Sequence, residues 1–76
     1  MGDVLFYDFP GEPDTKALVP YSVRNGIATL SVPQKHSGST RTKESDLTES
    51  DITFLNNCAK RAFDDLTVKG YTVIKP

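Results

Sequence analysis

A small α+β domain is the fold class the sequence predicts, with one long amphipathic helix packed on one face of a small antiparallel sheet in the order β-β-β-α-β. Three observations carry that prediction: an aromatic-rich run at residues 4–9, two alternating segments joined by Asn25-Gly26, and one stretch of helical periodicity after Thr48. A chain of 76 residues holds a single domain, residues 1–76.

Val4-Leu5-Phe6-Tyr7-Asp8-Phe9 is dense in aromatic and branched residues, which suit a pleated, half-buried surface. Pro10, Gly11 and Pro13 end that strand in a turn, because proline gives no amide hydrogen to a ladder. Asn25-Gly26 accepts the two positive φ angles of a type I′ corner, whose twist matches paired strands. The register then sets Arg24 opposite Ile27, Val23 opposite Ala28, Tyr21 opposite Leu30 and Val19 opposite Val32. By period two the last six share one apolar face, while Leu18, Pro20, Ser22, Arg24, Ile27, Thr29 and Ser31 form a mostly polar one. Pro20 should place its strand at an edge or break it.

Residues 33–46 contain nothing apolar beyond Pro33 and read as a long mobile loop. The helix then begins with a capping signal: Thr48 as cap, Asp51 three residues on, and Leu47 with Ile52 as a staple. Ile52, Leu55, Ala59, Ala62, Phe63 and Leu66 fall on one stripe, and Lys69-Gly70 stops the helix. Tyr71-Thr72-Val73-Ile74 closes as a short strand whose neighbour the sequence leaves open. The expected core joins the hairpin's apolar face to Ile52, Leu55, Ala59, Phe63 and Leu66.

Composition excludes more than it assigns. An apolar fraction of 37% and a net charge of −1 describe a globular chain with no general attraction to nucleic acid or anionic lipid. No apolar run approaches the roughly 18 residues of a membrane span, and the N-terminal stretch lacks the basic region of a secretory leader. A cytoplasmic location is therefore expected. One cysteine, Cys58, and one histidine, His36, rule out an internal disulfide and a closed zinc site. No phosphate loop or catalytic pairing occurs, so no cofactor, metal or catalytic residue is assigned. Asp64-Asp65 point about 100° apart on a helix and read as ion pairs with Lys60 and Arg61 on a wet face.

Two features remain for partner contact. Phe54 lies about 130° from the centre of the apolar stripe, beside Cys58 and Arg61, an aromatic–arginine pairing typical of interface hot spots. Lys35, Arg41 and Lys43, with His36, give residues 35–43 a basic character that suits phosphates or an acidic protein surface. The expectation is a small non-enzymatic protein-binding module, a regulator, inhibitor or adaptor subunit, with self-association an open route to added stability. In size and style the chain is similar to stand-alone phage-encoded inhibitors, although no motif carries that analogy. The alternative is a nucleic-acid accessory protein using residues 35–43. An enzyme or small-ligand binder is disfavoured, since one helix on one small sheet promises little concave volume.

Overall fold

The computed structural model describes residues 2–76. Its fold is α+β, a mixed six-stranded sheet with one long helix against it. The strands are β1 (Gly2–Asp8), β2 (Thr15–Arg24), β3 (Ile27–Leu30), β4 (Gln34–Ser37), β5 (Thr40–Arg41) and β6 (Thr72–Ile74). The helix α1 (Glu49–Val68) follows a 3-10 turn at Glu44–Asp46. Among the described residues no helix is long and apolar enough to cross a membrane.

Strand β2 is the hub. Along one edge it pairs with β1; along the other it pairs with β3 at its C-terminal end and with β4 at its N-terminal end. The Asn25-Gly26 corner forms as expected, with φ of 54° and 77°. Its register is the predicted one for three pairs: Arg24 with Ile27, Val23 with Ala28, and Tyr21 with Leu30.

The fourth predicted pair fails. Tyr21 faces Leu30 and Leu18 faces Gln34, so two residues of β2, Val19 and Pro20, stand against three, Ser31 to Pro33. That is a β-bulge, and it leaves Val32 62% exposed instead of in the core. Pro20 explains its position. The Pro20 carbonyl accepts from Ser31 N–H at 2.8 Å, but Pro20 has no N–H to return. Pro20 therefore marks the gap between β3 and β4 on a central strand, not a sheet edge.

The bulge inverts the faces beyond it. Lys35 sits opposite Ala17, whose side chain is fully buried, so Lys35 turns toward the helix. Its Nζ lies 3.1 Å from Asp51 Oδ1, 3.6 Å from Glu12 and 4.9 Å from the centre of the Phe9 ring. Residues 33–46, expected as one loop, thus hold strands β4 and β5 and the 3-10 turn. Strand β6, left unplaced by the sequence, pairs parallel with β3, which makes the sheet mixed rather than wholly antiparallel.

Helix α1 starts with the full reciprocal cap. Thr48 Oγ1 accepts from Asp51 N–H and Asp51 Oδ2 accepts from Thr48 N–H, both at 3.1 Å. It ends at Gly70, which adopts φ 99° as a left-handed stop. The buried stripe is Leu55, Cys58, Ala62 and Leu66, with Asp51 at its head. Its centre is about 50° away from the predicted stripe. Ile52 consequently faces solvent, and Phe63 and Ala59 line one flank. The turn toward Phe54 is rewarded by packing: Phe54 meets Phe9, with ring centres 4.6 Å apart. Tyr7 and Phe9 of the N-terminal run are core residues that the predicted core omitted.

Candidate interaction surface

One helix covers one face of the sheet, and the register defines what the other face carries. Leu5 and Tyr7 of β1, and Phe9 just past its end, turn toward the core, so Val4, Phe6 and Asp8 project from the other side. In β2 the buried residues are Thr15, Ala17 and Val19, so Lys16, Leu18 and Pro20 project there too. The pairing sets Phe6 directly opposite Leu18 and Val4 directly opposite Pro20. Four apolar side chains from two strands therefore form one block, with Phe6 64% exposed. An uncovered antiparallel face is ordinarily polar. An apolar block on it is the mark of a contact surface.

The adjoining row is charged. Asp8 lies opposite Lys16, with which it forms an ion pair, and Lys16 lies opposite His36, which lies opposite Arg41. His36 Nε2 is 2.9 Å from Gln34 Oε1. The block is thus bordered on one side by groups able to anchor a polar rim.

The edge of β1 adds hydrogen-bonding capacity. Phe9 N–H donates to the Thr15 carbonyl at 3.1 Å, which fixes the phase of the ladder. Residues 3, 5, 7 and 9 direct their amides and carbonyls to β2, while those of Val4, Phe6 and Asp8 point away. Consistent with this, Val4 N–H is taken by the side chain of Asp3, at 2.8 Å to Oδ1. Among the described residues no strand pairs with that outer edge.

The residues singled out from the sequence do not form one site. Cys58 is 1% exposed in the core, where burial pushes its thiol pKa up, and it has no surface to offer a partner. Phe54 is half-buried against Phe9. Arg61 stays exposed, its guanidinium 4.8 Å from the centre of the Tyr7 ring. Asp65 is exposed on the helix, as expected, and also accepts from the Tyr7 hydroxyl at 3.0 Å to Oδ2, which ties the helix to β1. Burial first, then the Asp65 carboxylate, pushes the Tyr7 pKa up to about 12. Lys35 is 13% exposed and held by two carboxylates, not part of a basic loop. Arg41 and Lys43 remain exposed, opposite His36 and just before the 3-10 turn respectively.

Concave space exists after all. A cleft of about 400 Å³ lies between the bulge and α1, lined by Val32, Pro33, Arg41, Leu47, Ile52 and Asn56 among others. A wider groove of about 710 Å³ continues past Asn56 to Phe63 and Lys75. Neither is lined by histidine or cysteine. Among the described residues no three His, Cys, Asp or Glu side chains converge as a metal site. Sequence reasoning missed Val4, Phe6, Leu18 and Pro20 as a surface, although the alternation in both strands already carried the signal. Compared with known proteins, the chain matches no protein-family model, no curated sequence and no solved structure.

Proposed function

We propose that the chain is a small non-enzymatic protein-binding module, a regulator, inhibitor or adaptor subunit, that grips its partner through the bare sheet face around Phe6. One observation carries the reading: the cross-strand pairs Phe6–Leu18 and Val4–Pro20 stand together on the sheet face opposite the helix, which no element among the described residues covers. An aromatic anchor flanked by aliphatic side chains and edged by charge has the composition of an interface centre with its rim. Arg41, exposed at the end of the adjoining row, favours a partner with an acidic group beside an apolar ridge. A single buried cysteine fits a reducing compartment such as the cytoplasm. The nucleic-acid alternative draws less support, because Lys35 is tied to Asp51 and Glu12 and Lys16 to Asp8.

The test compares partner capture by immobilised wild type, Phe6→Ser, Leu18→Ser and Val68→Ser. Val68 is the control, 87% exposed but on the far end of the helix. Proteins retained by wild type and Val68→Ser should bind the Phe6 and Leu18 variants at least tenfold more weakly, since truncating an anchor costs about 2 kcal/mol or more. Equal retention by all four chains would sink the sheet-face reading.

A further inference from the structure

The geometry points to a second copy of this chain as occupant of the β1 edge, paired antiparallel so that Leu5 lies opposite its own counterpart. The inference rests on the reading of the sheet face as a contact surface and names what completes it. The outward amides and carbonyls belong to Val4, Phe6 and Asp8, so only registers that set even residues against even residues join donors to acceptors. The register centred on Leu5 is the one that overlaps all seven residues of β1. It sets Val4 opposite Phe6 of the second copy, Phe6 opposite Val4, and Gly2 opposite Asp8. On the inner face it sets Asp3 opposite Tyr7.

Two consequences favour this register and this occupant. The apolar block of one chain runs directly into that of the other, giving two rows that read Leu18, Phe6, Val4 and Pro20 across the joined sheets. Four apolar residues become eight on one uninterrupted face. No like charges stand opposite each other, and the net charge of −1 per chain opposes association little. A register centred on Asp8 would instead oppose two carboxylates. A two-fold axis requires such self-complementarity, and a strand of unrelated sequence has no reason to supply it.

The edge also lacks the usual guards, since β1 contains no proline and no lysine. Its one guard is Asp3, whose carboxylate must release Val4 N–H to the carbonyl of the second copy. A paired strip about 24 Å long buries less than the roughly 800 Å² per partner of a standard interface. The pairing belongs to the weak, concentration-dependent class of interface.

Sedimentation of the full chain across micromolar concentrations tests the inference, alongside Val4→Pro and a cysteine scan of β1 in a Cys58→Ala background. Val4→Pro removes an outward N–H and no ladder bond to β2, so it should keep the monomer fold by circular dichroism and weaken dimerisation at least tenfold. Leu5→Cys should link two chains by a disulfide on mild oxidation, because a non-hydrogen-bonded pair brings Cα atoms to about 4.5 Å, within bridging reach. Phe6→Cys, facing Val4, should not link. A chain monomeric at every concentration, a dimer indifferent to Val4→Pro, or faster linkage at Phe6→Cys each overturns the inference. A monomer that still retains a foreign protein through Phe6 overturns the dimer while the protein-binding reading stands. A dimer linked through Leu5 that retains nothing foreign does the reverse.

Discussion

Replacing Asp51 by alanine is expected to lower the unfolding free energy by about 3 kcal/mol, out of a total of about 4–11 kcal/mol for a domain of this length. The carboxylate does two things at once. It closes the helix cap on Thr48 N–H, which contributes about 1 kcal/mol. It also neutralises Lys35, which is mostly removed from water. Removing Asp51 leaves Lys35 with Glu12 alone, at 3.6 Å. In a Lys35→Met background the same substitution should cost only the cap, so a denaturant double-mutant cycle should show a coupling of about 2 kcal/mol. Additive losses would mean that the ion pair contributes nothing.

The same carboxylate predicts acid sensitivity. The Thr48 N–H, and after it Lys35, hold the Asp51 pKa below its ordinary 3.8 against the opposing pull of burial. A depressed carboxyl pKa stabilises the fold fully above the unfolded-state value, about 3.9, and loses that contribution as pH falls through the folded-state value. The gap between wild type and Asp51→Ala should therefore close below about pH 4.

Deleting Val32 and Pro33 together is the second large effect. Val32 is exposed, so Val32→Ala should change stability by no more than about 0.5 kcal/mol. Deleting Val32 alone removes the bulge but lets two residues face two, so Leu18 keeps Gln34, Ala17 keeps Lys35 and β4 keeps its faces. Deleting Pro33 as well leaves no slack, and a closed ladder then exchanges the faces of every side chain of β4. Lys35 would leave Asp51, and Gln34 and His36 would be driven toward the core. A loss of at least about 3 kcal/mol relative to the single deletion is expected in denaturant unfolding. A double deletion as stable as the single one would show that the length of the 31–33 segment does not fix the facing of β4.

These two sites also mark where the sequence stops being legible. The Asn25-Gly26 corner, the Thr48–Asp51 cap and the Gly70 stop are local devices, each encoded in a few adjacent residues, and each forms as read. The bulge is not local. It depends on Pro20 lacking a donor toward a strand ten residues on, and period-two counting runs straight through it to a false Val19–Val32 pair. The helix phase failed for a related reason. Cys58 and Asp51 head inward but count little as apolar residues, whereas Ile52, which faces solvent, counts fully. A stripe centred about 50° away puts Phe54 on the exterior, whereas the exposed aromatic is Phe6, inside a run that the sequence reads as one undivided strand. Lys35 reads as a loop base because nothing in its neighbours announces that a bulge will turn it under the helix.

The working surface depends on one property of β1: an outer edge that is unpaired among the described residues, beside the sheet face opposite the helix. Amide hydrogen exchange of the dilute chain reads that property residue by residue. Leu5 and Tyr7 should exchange slowly and Phe6 and Asp8 rapidly, an alternation set by the ladder phase. Protection of Phe6 and Asp8 equal to that of Leu5 and Tyr7, in chain too dilute to associate, would contradict a free edge and with it the assignment of this face to partner contact.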